Sequence, residues 1–177
     1  MRKLIALILT VIFLLACNFL FPTKSAPSYT SPATKSIPKS TQDPSIALIG
    51  YTETRLHPKD GDLSSLLTIE TQKAMKLGQL PVVEFDARWC PPCQAINKSL
   101  EEKNELMLKA YDGVYIIKLD VDEWGWGVDD YKVEAIPVYF KLDSKGQATG
   151  EVIDGGAWNE DIPENIAPVM DQFFHTP

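Results

Sequence analysis

Histidine and cysteine are scarce in this 177-residue chain, which carries two histidines, His57 and His175, and three cysteines, Cys17, Cys90 and Cys93. A structural zinc site needs about four ligands. Here the histidines lack ligand spacing to each other or to the cysteines, and a second Cys-x-x-Cys is absent, so no metal site is expected. Both histidines are expected at the surface. Positive charge is short too: residues 46–177 hold 12 Lys and Arg against 23 Asp and Glu, a formal charge of −11. Nucleic acid and anionic lipid are poor partners for such a surface. Long apolar runs are missing as well, because Leu4–Ala16 falls short of the roughly 20 residues that span a bilayer comfortably. No internal repeat is present, and this length with 45% apolar residues suits one globular domain with appendages.

Arg2 and Lys3 precede the short apolar run, and the combination reads as an export signal. Its end, Leu14-Leu15-Ala16-Cys17, resembles the lipobox of bacterial lipoproteins, in which the cysteine is lipidated and becomes the mature N-terminus. An uncleaved anchor continuing through Phe19-Leu20-Phe21, or an ordinary signal that contains a cysteine, are the alternatives. All of them export the chain, and the first two tie it to a membrane, facing the periplasm or the cell exterior. Residues 18–45 follow. From Pro22 to Ser45 they turn to Pro, Ser, Thr, Ala and Lys, with five of the 13 prolines and almost no bulky apolar residue. Such a segment cannot bury a core and reads as an extended tether. The folded domain is expected over 46–177.

Within that domain, apolar Leu66, Leu67, Ile69, Ala74, Met75 and Leu77 share one helical face, and Gly78 marks a stop. The run from Leu80 to Ala87 suits a buried central strand, and Pro91 stands where a helix would begin. Ile96, Leu100, Met107, Ala110 and Tyr111 predict one long helix closing at Asp112-Gly113, and Val114 to Leu119 predicts a strand. A short helix is expected over Trp124 to Lys132. A hairpin should join Val138–Leu142 to Thr149–Ile153 through Ser144-Lys145-Gly146. A last helix covers Ile162 to Phe174, with Asn159 or Asp161 as its cap. The order predicts an α/β fold with a mixed central sheet flanked by helices.

The stretch VVEFDARWCPPCQAI, residues 82–96, places Cys90 and Cys93 directly after the buried-strand pattern. A pair like this serves a metal site, a structural disulfide or a redox dithiol. Ligands for a metal are missing, and a bridge across two intervening residues removes little entropy from the unfolded chain. Position argues for redox chemistry: at a helix N-terminus, free backbone N–H groups and the helix dipole stabilise a thiolate, which is the attacking species. Cys90 is the expected nucleophile. Cys93, a turn further in, is placed to resolve the mixed disulfide. Arg88 adds one nearby cation, which also suits an ordinary surface arginine.

Val82-Val83-Glu84-Phe85 followed by Trp89-Cys90-Pro91-Pro92-Cys93 resembles the active-site strand and helix of the thioredoxin superfamily. Ile117-Lys118-Leu119-Asp120-Val121-Asp122 is similar to the family's central strand, and Ala135-Ile136-Pro137 to its cis-proline loop. The resemblance covers about residues 64–174. It implies a thioredoxin-like fold and a thiol-disulfide oxidoreductase whose only cofactor is its own dithiol, with Cys90 attacking and Cys93 resolving. Its partners would be protein disulfides and a thiol electron donor. Glu84 takes the place of the family's buried acid and Lys118 that of the lysine near it; desolvation should raise the Glu84 pKa modestly, with Lys118 opposing. Trp89, Ile136, Pro137, Gly156 and Ala157 correspond to the surface that grips an extended client, and Trp124, Trp126 and Trp158 either extend it or pack in the core. The domain looks more like exported reductases than like the cytochrome-maturation branch. Reduction is the direction the resemblance favours. A disulfide oxidase or isomerase, or a client-binding scaffold of the same fold, are the alternatives, the last disfavoured by an intact WCPPC with an acid behind it.

Overall fold

The computed structural model describes residues 49–176. The stretches expected to be an export signal (1–17), with Cys17, and a tether (18–45) lie outside the described residues. Two strands foreseen from their apolar runs form the centre of the sheet: β2 (Leu80–Asp86) and β3 (Val114–Asp120). They pair in parallel from Leu80↔Val114 to Asp86↔Asp120. Every residue of β3 is buried, as a strand covered on both faces requires. On the far side of β3 lies β1 (Thr52–Leu56), also parallel. On the other side of β2, β6 (Val138–Leu142) and then β7 (Ala148–Asp154) add antiparallel, giving the order β1-β3-β2-β6-β7. The sheet is mixed, as expected.

Alternate residues of each strand feed opposite faces. Val83, Phe85, Ile117, Leu119 and Phe140 pack with Leu63, Leu67 and Ala74 of α1 (Leu63–Leu77). Val82, Ile116 and Tyr139 pack on the other face with Ile96 and Leu100 of α2 (Pro91–Glu101), Met107 of α3 (Glu105–Ala110) and Ile166, Met170 and Phe174 of α5 (Pro163–His175). α1 begins where the Asp62 carboxylate accepts the Ser65 N–H at 3.0 Å. It ends where Gly78, at φ +70°, donates back to the carbonyls of Ala74 and Met75.

Four expectations are corrected, and one strand was missed. The long helix from Ile96 to Tyr111 is two, because Lys103 turns the backbone to φ +58° and the Asn104 side chain caps a fresh start, accepting from Leu106 and Met107 N–H. The stretch from Trp124 to Lys132 is not a helix: α4 (Val121–Trp124) ends at Gly125, and β4 (Gly127–Val128) and β5 (Tyr131–Lys132) form a small hairpin. Tyr131 drives that hairpin by packing between Phe85 and Phe140. α5 starts at Pro163 without a side-chain cap, since Asp161 is occupied by the Trp158 indole. On α1 the buried face includes Leu63, Glu70 and Thr71, whereas Ile69, Met75 and Leu77 are exposed. β1 was not foreseen, because Thr52-Glu53-Thr54-Arg55-Leu56 has too little apolar content to read as a strand.

Candidate active site

β2 delivers the chain to the dithiol. After Asp86 the backbone turns through Ala87, Arg88 and Trp89, and Cys90 becomes the N-cap of α2, with the two prolines opening the helix where a missing N–H costs no bond. Cys90 Sγ accepts the Cys93 backbone N–H at 3.2 Å. That donor is one of the helix-end groups able to stabilise negative charge on this sulfur. The two cysteines form a disulfide. In this oxidised state they are 2% and 1% exposed, so what separates them here is position on the helix and not openness.

Against α2, which Lys118 reaches through Asn97, lies a buried charged row. Glu84, 1% exposed, sits opposite Lys118 on β3 and Tyr139 on β6. The Tyr139 hydroxyl donates to Glu84 Oε1 at 3.1 Å, and Lys118 Nζ stands 3.7 Å from Glu84 Oε2. Lys118 is closer to others: 3.0 Å from Glu53 of β1 and 2.5 Å from Asn97 Oδ1 of α2. Its charge is therefore shared, and Glu84 is only partly compensated. Burial pushes the Glu84 carboxyl up from the usual 4.5 to about 7; Lys118 opposes this, the Asp86 and Glu53 carboxylates add to it, and the Tyr139 hydrogen bond opposes it. The rise exceeds the modest one expected. Burial by itself would lower the Lys118 pKa, but the carboxylates of Glu84 and Glu53 outweigh it and hold the ammonium charged.

A second buried acid follows on the same face of β2. Asp86, 2% exposed, receives the Arg55 guanidinium of β1 on both oxygens, Nη1 to Oδ1 at 2.8 Å and Nη2 to Oδ2 at 2.6 Å. Sequence reasoning passed over Arg55, Glu53, Asp86, Asn97 and Tyr139. The alternation Glu84–Phe85–Asp86 was the available signal that two acids share one face.

The thioredoxin family model matches residues 69–168. A thioredoxin H-type from Fagopyrum esculentum is 34% identical over 96 residues, 54% of this chain and 77% of its own. A probable thioredoxin-2 from Caenorhabditis elegans is 30% identical over 129 residues, 72% of this chain and 86% of its own. The chain belongs to the thioredoxin family. Among solved structures, a mutant thioredoxin from Halobacterium salinarum NRC-1 aligns with a TM-score of 0.46 at 18% identity, over 71% of this chain and 94% of its own.

As a member of the thioredoxin family, the protein is a thiol-disulfide oxidoreductase with Cys90 and Cys93 as its dithiol. The residues corresponding to the family's client surface fall at several depths. The Ile136–Pro137 bond is cis, with Ile136 half-buried and Pro137 buried. Gly156 and Ala157 are exposed in a short 3-10 turn, yet it is their neighbour Gly155 that meets Pro137: its N–H donates to the Pro137 carbonyl at 3.0 Å, and a Cβ there would lie 3.3 Å from Pro137 Cδ. Trp89 is 55% exposed, and its indole N–H donates to Asp122 Oδ2 at 2.9 Å. Of the three other tryptophans, Trp158 is core, Trp124 is held by its N–H on the Leu56 carbonyl, and only Trp126 stays exposed, against Trp89. The histidines are ordinary partners, His57 of Glu123 and His175 of Asp171. No candidate metal cluster occurs among the described residues, nor any helix long and apolar enough to cross a membrane.

Proposed function

We propose that this thioredoxin-family protein reduces disulfides of client proteins outside the cytoplasm while tied to a membrane by its N-terminus. The observation that carries the chemistry is Cys90 Sγ at the N-terminus of α2, accepting the Cys93 N–H, with Glu84 buried behind the helix. The Cys90 thiolate attacks one client sulfur, the client S–S bond breaks, and the departing thiolate takes a proton from water. Cys93 then loses its proton to the Glu84 carboxylate, directly or through one water, and attacks Cys90 Sγ. The second client sulfur leaves as a thiolate and takes up a proton; the client disulfide has gained two electrons, and Cys90 and Cys93 have given them up in forming their own disulfide. A thiol electron donor restores the dithiol, and no further cofactor takes part. Trp89, Ile136, Pro137, Gly156 and Ala157 hold the client backbone.

Export and anchoring rest on Arg2, Lys3, the run to Ala16, the lipobox-like Cys17 and the tether of residues 18–45. Direction rests on resemblance to thioredoxins, and the reduction potential of the Cys90/Cys93 couple tests it. A value near about −270 mV supports reduction, and one near about −120 mV makes the protein an oxidase. Cys93→Ser should accumulate client mixed disulfides and Cys90→Ser none. Mass spectrometry of the exported chain should find a diacylglyceryl group on Cys17, and an unmodified N-terminus beyond it would remove the anchor.

A further inference from the structure

Trp126 has no structural duty that accounts for its exposure. The loop that carries it is fastened on both sides, by the Trp124 N–H on the Leu56 carbonyl at 3.0 Å and by Tyr131 and Val133 in the core. Between those anchors Trp126 remains 47% exposed, its ring 6.3 Å from that of Trp89 and tilted by 30°. Trp89 directly precedes Cys90, so the two indoles form one aromatic platform beside the dithiol. Its edge is negative: Asp122 touches the Trp89 indole N–H. The segment 120–134 carries six acids and a single lysine, Lys132, which is itself paired with Glu134 at 2.5 Å. Among the described residues, Asp122, Asp129 and Asp130 form no ion pair. Arg88 is the one opposing cation in the stretch 82–96.

We infer that Trp126 and Asp122 select clients whose disulfide cysteine is flanked by arginine or lysine, the cation lying on the Trp89–Trp126 platform with Asp122 at its edge. This rests on the client-disulfide reading above. An indole face attracts a cation through its quadrupole, and guanidinium stacks on it best. The domain's formal charge of −11 draws such a client in and repels an acidic one, an effect that salt screens.

The test uses the reduced full chain and two disulfide peptides of equal length that differ only in having Arg or Glu beside the cysteine. Second-order exchange rates are measured at low and high salt. The Arg peptide should react about tenfold faster at low salt, the scale of one cation–π contact aided by charge, and the ratio should narrow as salt rises. Trp126→Ala should bring the ratio below about threefold, and Trp126→Phe, which keeps an aromatic face, should retain most of it. Equal rates for the two peptides, a preference for Glu, or an undiminished ratio in Trp126→Ala overturns the inference while leaving the oxidoreductase reading intact. Failure to exchange with either peptide, or with a small uncharged disulfide, overturns both.

Discussion

Replacing Glu84 by Gln should abolish a loss of stability that the oxidised protein suffers as pH rises from about 4.5 to about 7. Across that window the unfolded chain has given up the Glu84 proton while the folded protein still holds it, so the folded state binds the extra proton and stability falls with rising pH. Below 4.5 both states are protonated and burial costs nothing through this group; above about 7 both are ionised and the cost is complete. At about 1.4 kcal/mol per pKa unit, the gap from 4.5 to about 7 corresponds to about 3 kcal/mol. Gln keeps the shape and can still accept from Tyr139, and Lys118 keeps Glu53 and Asn97. The assay is urea unfolding of both proteins at a series of pH values. Any packing difference that does not titrate cancels when the wild-type-to-variant gap is followed with pH. That gap should shift by about 3 kcal/mol in favour of Glu84→Gln between about pH 4 and pH 8. Parallel stability curves would refute the reasoning, because they would mean that Glu84 ionises in the fold as it does in water. A kinetic counterpart uses stopped flow: resolution of the mixed disulfide should follow an apparent pKa near 7 in the wild type and lose it in the variant, with the first attack by Cys90 largely spared.

Arg55→Met should destabilise the protein by about 2 to 3 kcal/mol, because Asp86 stays buried without the two hydrogen bonds that hold its charge. Adding Asp86→Leu should recover most of that loss in urea unfolding, and a single variant as stable as wild type would mean water solvates Asp86. Gly146→Ala should cost roughly 2 kcal/mol or more, since the position has φ +83° and a Cβ would stand 2.9 Å from the Leu67 and Thr68 backbone of α1. An unchanged urea midpoint would show that α1 and this turn can separate freely.

Several parts of the molecule were legible because their signals are local. β2, β3 and β6 announce themselves as short apolar runs, and their bounds in the structure fall within a residue of those read from sequence. Pro91 after Cys90 marks a helix start, and that alone places a sulfur at a helix N-terminus. Glu84 among valines and a phenylalanine is a buried acid on sequence grounds, and it is buried. Where apolar spacing resumed in register after the polar 101–105 stretch, sequence misled. Ile96 to Tyr111 keeps helical periodicity across Lys103, and only the positive φ there and the Asn104 cap divide it.

The sequence by itself determined the dithiol, its helix-end setting, the acid behind it and the alternation of elements, since each depends on residues near one another in the chain. Tertiary structure decided how strongly that acid is perturbed. Glu53 and Arg55 lie on a strand too polar to be recognised, yet β1 pairs with β3 and brings them to Lys118 and Asp86 across the sheet. The structure also sorted four tryptophans that composition cannot tell apart, burying Trp158, fastening Trp124 and leaving Trp89 and Trp126 open beside the thiols. The physical reason is the same in both cases: burial and charge compensation depend on which strands and loops become neighbours, and a local pattern does not encode that distance.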